Sequence, residues 1–476
     1  MSTNRRKFLR NIALGSGAVS IGLPSLAKVK NNNSEYDESV VYKSAQQFNM
    51  CGYAAPKLDK VRIGIVGLGM RGPGSVQRMS YIDGVEIKAL CDKYPDRVTK
   101  AQKILEKAGL PKAKEYSGNE GWKAMCESNE IDLIYITTPW RLHTPIAVYA
   151  MKHGKHAASE VPAAVTIDQA WELVETSEKT KQHCMMLENC CYDFFELLTL
   201  NMTRQGMFGE LIHAEGAYLH NLLGLNFDKN GYADMWRLRE NASRNGNLYP
   251  THGLGPIAQC MDINRGDKMD HLVSLSSNDF LMGAEAKARA AKDAFYNEFV
   301  DKPYRGNMNT TLIRTAKGKS IMVQHDVTSP RPYSRIHLIS GTKGMASKWP
   351  DPERISFGED WVKEDELKTL YDKYSPPIVK HVGDIAKQVG GHGGMDFMMD
   401  WRLIDCLRNG LPLDQDVYDA ALWSSISPLS EKSVANKSRT QDVPDFTRGA
   451  WQTNKQVNLT LDGGGNTQVR KVAAEK

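Results

Sequence analysis

Three clusters in this chain have residue types and spacings that could do chemistry. The first is Tyr249-Pro250-Thr251-His252-Gly253, with Arg237 a short way upstream. An imidazole titrates near neutrality, and a phenol can donate a proton or accept one once deprotonated. A Tyr and a His three apart therefore suit proton transfer wherever helical spacing lets them converge. The same pair also fits a satisfied core histidine beside a packing tyrosine. Arg237 could bind a carbonyl or hydroxyl, or be solvated. The second cluster is Gly67-Leu68-Gly69-Met70-Arg71-Gly72, directly after the apolar stretch 61–66. This is G-x-G-x-x-G at a strand-to-helix junction. The first glycine permits the tight turn, the second admits a pyrophosphate to the backbone, and the third lets helix and strand pack closely. Asp92 ends the next apolar run, about 20 residues past the last glycine. A carboxylate there accepts from a ribose diol and repels a 2′-phosphate, which favours NAD over NADP. The third cluster is Gly390-Gly391-His392-Gly393-Gly394-Met395-Asp396. It is a flexible turn before a helical run, and it either closes over a site or caps that helix.

These clusters need elements to position them. Residues 61–66, 85–91, 131–136, 156–159 and 185–188 read as strands, and 142–153 and 167–181 as helices. Strands alternating with helices mean a parallel sheet, with ligands beyond the strand carboxyl ends. Trp140, His143, Glu160 and Asn189 follow such ends, so they are placed at the cofactor. After a helix over about 192–206 the pattern changes. Residues 209–218, 311–314, 320–326 and 335–340 alternate as strands do, separated by turns such as Lys317-Gly318-Lys319. Residues 256–262 and 396–407 read as helical. The expected fold is α/β: an N-terminal Rossmann doubly wound parallel sheet plus a C-terminal α+β domain with a largely antiparallel sheet. The expected organisation is an export signal at 1–27, a linker at 28–60, an NAD-binding domain at 61–190, a substrate-binding domain at 191–450 and a tail at 451–476.

With 476 residues the chain is long enough for two or three domains. A composition 41% hydrophobic and 25% charged excludes a disordered, collagen-like or disulfide-scaffold protein. No apolar run is long enough to read as a membrane-spanning helix. Arg5-Arg6 followed by Phe8-Leu9, an uncharged stretch over 12–23 and Ser25-Leu26-Ala27 resemble a twin-arginine export signal. The other reading is a basic N-terminal arm. Four of the five excess positive charges, Arg5, Arg6, Lys7 and Arg10, lie there without any acid. The net +5 therefore addresses export rather than nucleic acid. The eight cysteines form no Cys-x-x-Cys pair, so no zinc or iron–sulfur spacing exists and no metal is expected. Folding in a reducing cytosol argues for buried free thiols, although a periplasm would permit disulfides.

Taken together, the glycine run, Thr138-Pro139-Trp140-Arg141-Leu142-His143-Thr144-Pro145, Ser159-Glu160-Val161-Pro162, Glu188-Asn189-Cys190-Cys191-Tyr192, the Tyr249–His252 segment and Gly391-His392-Gly393-Gly394-Met395-Asp396 resemble the Gfo/Idh/MocA oxidoreductase superfamily and, within it, glycoside hydrolase family 109. The resemblance spans roughly residues 50–450. It implies NAD contacts at Gly67, Gly69, Met70, Arg71, Gly72, Asp92, Trp140, Arg141, Leu142, His143, Glu160, Val161 and Asn189. It implies Tyr249 and His252 as an acid/base pair, and substrate contacts at Tyr218, Arg237, Tyr249, Pro250, Thr251, His252 and Tyr333. Sugar dehydrogenases of the superfamily carry Glu-Lys-Pro; here Val161 cannot exchange a proton. The implied activity is hydrolysis of α-N-acetylgalactosaminides by C3 oxidation, loss of the C2 proton, elimination at C1, water addition and hydride return, with NAD recycled. The implied partners are an N-acetylgalactosamine-containing glycan and the twin-arginine export machinery. No nucleic acid and no stable membrane anchor are expected, and a homo-oligomer is compatible with an open sheet. Two alternatives are an exported NAD(P)-bound sugar oxidoreductase and a non-catalytic sugar-binding protein on a relict nucleotide fold.

Overall fold

The computed structural model describes residues 45–457 and 459–470. The expected export signal at 1–27 and the linker up to residue 44 lie outside them. Six strands form the first sheet: β1 Val61–Val66, β2 Val85–Asp92, β3 Lys114–Ser117, β4 Leu133–Ile136, β5 His156–Ser159 and β6 Cys184–Met186. Their order is β3-β2-β1-β4-β5-β6 and every pairing is parallel. This is the doubly wound order, whose direction reverses beside β1 and opens a crevice there. The central strands are buried along nearly their whole length, as continuous apolar runs such as Leu133-Ile134-Tyr135-Ile136 require.

Eight strands form the second sheet: β7 Leu211–Leu219, β8 Met269–Ser276, β9 Asn309–Thr315, β10 Ser320–Asp326, β11 Leu338–Gly341, β12 Met345–Ser347, β13 Arg354–Ser356 and β14 Gln441–Asp442. The order is β13-β12-β11-β7-β10-β9-β8-β14. All pairs are antiparallel except β7 with β10. The two are distant in sequence, so the long crossover that a parallel pair needs is available. The strand expected at 335–340 begins only at Leu338, because Ile336 and His337 have φ of 62° and 46° and leave the pleat.

One close approach sets the geometry of the second domain. Helix Thr251–Cys260 lies across β7, where Gly253 meets Gly216. A Cβ on Gly216 would stand 2.3 Å from the Gly253 carbonyl oxygen, and one on Gly253 only 2.1 Å from Ala217 N. Two glycines therefore let the first helical turn lie on the sheet backbone. That helix starts five residues before the apolar run that signalled it, so His252 sits in its first turn and Tyr249 just ahead.

Two segments read as linker and tail are packed rather than loose. Within 45–60, Met50 is buried and its N–H donates to the Tyr418 hydroxyl at 3.2 Å. At the other end, Asp83 N–H reaches Gln468 O at 2.9 Å and Arg470 N–H reaches Tyr81 O at 2.8 Å. Thr467 O accepts from Trp401 Nε1 at 2.9 Å. Helix Met395–Asn409, read as part of the second domain, also covers the first sheet: Tyr135 donates to Asp400 at 2.7 Å, and Arg78 to the same carboxylate at 2.7 Å. All eight cysteines are free thiols, and only Cys51 is not fully buried. Among the described residues no helix is long and apolar enough to cross a membrane.

Candidate active site

A cavity of about 440 Å³ lies beyond the carboxyl ends of β1, β2, β4 and β5. The first domain lines it with Gly67 to Arg71, Asp92, Thr138, Pro139, Trp140, His143, Glu160 and Val161. The second domain closes it with Tyr232, Trp236, Arg237 and Tyr249. An adjoining cavity of about 270 Å³ runs past Asp92 between Trp122, Leu142 and Ile146.

The first wall has the shape a dinucleotide needs. Gly67 has φ of 92°, and a Cβ there would stand 2.6 Å from the Thr137 backbone. A Cβ on Gly72 would lie 2.2 Å from Gly67 O, so the turn and the following helix touch backbone to backbone. Gly69 is open by comparison: a Cβ there would meet nothing nearer than the Arg97 guanidinium at 3.4 Å. Asp92 is buried, and it accepts from Leu68 N–H at 2.6 Å and Tyr94 N–H at 2.9 Å. Arg97, which the sequence reading passed over, stands 3.7 Å from the same carboxylate. A glycine cradle, a carboxylate beside it and a second, apolar cavity fit the diphosphate, ribose and adenine of NAD.

The other expected cofactor contacts divide. Met70 is half exposed at the rim. Arg71 donates to Glu160 at 3.0 Å and to Asp396 at 3.2 Å, and its Nη1 lies 3.3 Å from His392 Nδ1. The glycine-flanked turn therefore does reach the rim of the cavity, and it also opens helix Met395–Asn409. Burial disfavours charge on Asp396, but His392, Arg71 and Arg78 hold its carboxyl well below the ordinary range. Asn189 does not line the cavity and donates to Asp396 at 2.5 Å. Arg141 is turned away and pairs with Glu240 at 2.5 Å. Leu142 reaches only the adjoining cavity. His143 is buried with Nδ1 2.8 Å from Pro162 O and Nε2 2.6 Å from Thr138 O. Burial lowers its proton affinity against the pull of those carbonyls. Its ring ties two cavity loops together.

The second wall is aromatic and cationic. Tyr249 stacks on Trp140 at 5.7 Å and 24°. His252 meets Tyr249 edge-on at 4.8 Å and Tyr218 at 5.3 Å. Tyr333 meets Tyr218 at 6.1 Å. The residues expected at the substrate thus gather around one point, with Pro250 and Thr251 starting the helix beneath them. Tyr218, His252 and Tyr333 form a layer behind Tyr249 rather than lining the cavity. Burial pushes the Tyr218 phenol up to about 12 and the Tyr249 phenol well above its usual value, against the pull of Arg237. Arg237 is buried, donates to the Tyr232 hydroxyl at 2.8 Å and lies over four rings: Tyr249, Trp140, Tyr232 and Tyr218. Its Nη2 has no hydrogen-bond partner. The reading missed Tyr232 and Trp236. Their spacing carries no helical signal, because Asp234 and Met235 have φ of 53° and 54° and the helix begins only at Trp236.

Glu188, Cys190 and His252 place one donor atom each within 4.8 Å of the others, a geometry able to hold a metal ion. Burial pushes the Cys190 thiol well up, so its thiolate is disfavoured. Glu188 Oε1 is already 2.7 Å from His252 Nδ1.

Comparison with known proteins identifies the family and the fold. Residues 61–188 match the oxidoreductase family with an NAD-binding Rossmann fold, and residues 192–453 match the C-terminal domain of glycosyl hydrolase 109. The chain is 50% identical over 416 residues to an alpha-N-acetylgalactosaminidase of Bacteroides fragilis, covering 86% of this chain and 97% of that one. A glycosyl hydrolase family 109 protein of Porphyromonas gingivalis is 49% identical over 427 residues, 86% of this chain and 89% of its own. A levoglucosan dehydrogenase in complex with NADH and L-sorbose shares the fold at a TM-score of 0.62 and 17% identity, over 82% of this chain and all of that one. NAD is the cofactor of such a Rossmann domain, and the chain is a glycoside hydrolase: it belongs to glycosyl hydrolase family 109.

Proposed function

We propose that this chain is an NAD-dependent glycosidase that removes terminal α-linked N-acetylgalactosamine and recycles its NAD. The observation that carries the reading is one cleft with a dinucleotide cradle on one wall and Tyr249 and Arg237 on the other, with His252 edge-on to Tyr249. The substrate class rests on the Bacteroides fragilis relative. Gly67, Gly69, Asp92 and Glu160 would hold the cofactor, with Met70 and Arg71 at its rim. Bound NAD would supply reversible hydride acceptance at sugar C3, so that the neighbouring C2 proton becomes acidic. The residues then have proton work to do. Tyr249 and His252 exchange protons at O3, C2 and the leaving oxygen. Arg237, with a free N–H aimed among the rings, faces the negative charge that develops on O3 as the C2 proton departs. Val161 is apolar where superfamily dehydrogenases carry a lysine, which favours hydrolysis over net oxidation.

Incubation with a nitrophenyl N-acetylgalactosaminide in D₂O tests this. Deuterium should enter C2 during many turnovers on bound NAD alone. Net NADH, or a reduced sugar product, would favour the oxidoreductase instead. We also propose that the chain is exported through the twin-arginine machinery. A recycled cofactor loaded before export suits a compartment where little free NAD is expected. Arg5→Lys with Arg6→Lys should keep the protein in the cytosol, and unchanged fractionation would refute it.

A further inference from the structure

We propose that Glu188 is the positioning residue of His252: its buried carboxylate fixes the imidazole with Nδ1 protonated and Nε2 free to take a proton. The inference rests on the reading of His252 as a base in the proposed function.

Glu188 follows β6 directly, at the carboxyl end of a first-sheet strand, whereas His252 belongs to the second domain. Their contact crosses from one domain to the other. Glu188 is fully buried, and its Oε1 lies 2.7 Å from His252 Nδ1. Cys190 N–H donates to the same oxygen at 3.1 Å, and Gln415 Nε2 holds the Glu188 carbonyl at 3.0 Å. Backbone and side chain are thus both pinned. Room for the carboxylate is built in, since a Cβ on Gly255 would stand 2.9 Å from Glu188 Cγ.

The chemistry follows from the donor count. A carboxylate only accepts, so Nδ1 must carry the hydrogen and the neutral ring keeps its lone pair on Nε2. Nε2 has no partner among the described residues, and the rings of Tyr218 and Tyr249 border it. When Nε2 takes a proton, the carboxylate faces an imidazolium. The other groups that hydrogen-bond the carboxylate, the Cys190 N–H and the Thr251 hydroxyl, are neutral, so the imidazolium is the cation it answers. The other titratable or charged groups around the pair are Cys190 and Cys191 beside Glu188, Arg335 near Cys190, His220 beyond Tyr218 and Arg237 across Tyr249. Of these, Glu188 alone touches the imidazole through a hydrogen bond.

The test uses Glu188→Gln in the NAD-loaded full chain. Glutamine can still accept from Nδ1, so the variant removes the charge and spares the shape. Nitrogen NMR of histidine-labelled protein, with the His252 signal identified by its loss in His252→Ala, reads the ring directly. The wild type should show a single neutral tautomer, with hydrogen on Nδ1 and none on Nε2. In Glu188→Gln, whose amide can present either its oxygen or its N–H to the ring, that tautomer should lose its exclusive hold and an Nε2–H form should appear. The rate of hydrolysis should fall roughly 10²-fold. Bound NAD and the melting temperature should not change. Glu188→Asp, which keeps the charge on a shorter arm, should recover part of the Nδ1–H signal. An unchanged His252 tautomer in Glu188→Gln would overturn the proposal. So would zinc that stays bound to the wild type through dialysis and leaves with Glu188→Gln, since the three donors would then be ligands. A wild type that holds the Nδ1–H tautomer but does not hydrolyse the sugar would overturn the proposed function and leave this inference standing.

Discussion

The two walls of the cleft treat their polar groups in opposite ways. On the first wall Asp92 and His143 are answered by the protein's own backbone, although Thr138 Oγ1 has no partner. Both oxygens of Asp92 accept from backbone N–H groups, and both nitrogens of His143 face carbonyls. On the second wall Arg237 Nη2 is buried without a partner. A buried polar atom left alone costs about 1–3 kcal/mol. The first wall is therefore preorganised before any ligand arrives, while the second keeps strain that a substrate can relieve. Two histidines near the cleft thus differ: His143 is a buried brace, whereas His252 is partly exposed and is the one proposed as a base.

The largest test of this contrast is His252→Ala, which should lower hydrolysis by roughly 10³-fold while the purified protein still carries NAD. Retained activity within a few-fold would break the distinction. Arg237→Met removes the unpartnered cation and should lower kcat by roughly 10²-fold, with a smaller change in KM, in steady-state assays. An effect on KM alone would make it a ground-state contact. His143→Ala should cost roughly 1–3 kcal/mol in urea unfolding, because the neutral ring donates to one buried carbonyl, which then loses its donor. Loss of turnover with undiminished stability would move His143 to the reactive class.

A smaller effect concerns acid stability. His156 and His183 lie side by side at the far edge of the first sheet, and burial lowers them to about 4 and about 3. Both folded values lie below the unfolded one, so the unfolded chain binds more protons as pH falls below about 6.5. Their contribution is full above that value and is lost on acidification. Each should cost about 2 kcal/mol at pH 5. Replacing His183 by Asn should flatten the fall of Tm between pH 6.5 and 4, and an unaltered slope would show that other groups set it.

The first wall was legible in the sequence and the second was not, for a physical reason. A nucleotide cradle is local: Gly67, Gly69, Gly72 and Asp92 stand at fixed offsets around one strand–turn–helix unit. The doubly wound sheet follows from alternating apolar runs, and five of its six strands fall within a residue or two of expectation; edge strand β3, Lys114-Glu115-Tyr116-Ser117, has no apolar run and was missed. The second wall is assembled from distant segments. Tyr218, Tyr232, Tyr249 and Tyr333 come from four stretches, and nothing in their spacing says that they share Arg237 or one another. Without the family resemblance, Tyr249 and His252 would have remained one suggestive pair. Arg141 shows the opposite limit: its place in a motif suggested a contact, whereas its charge is spent on Glu240.

The clasp formed by Asp83, Tyr81 and residues 467–470 has a consequence for synthesis. A nascent chain can assemble all six strands of the first sheet once residue 186 has emerged. It cannot close the hydrogen bonds to Tyr81 and Asp83 until residue 470 follows, nearly three hundred residues later. The first domain to be made is thus among the last to be finished. Its final ordering awaits residues made after both sheets, and it is shared with helix Met395–Asn409, whose Trp401 donates to Thr467 O.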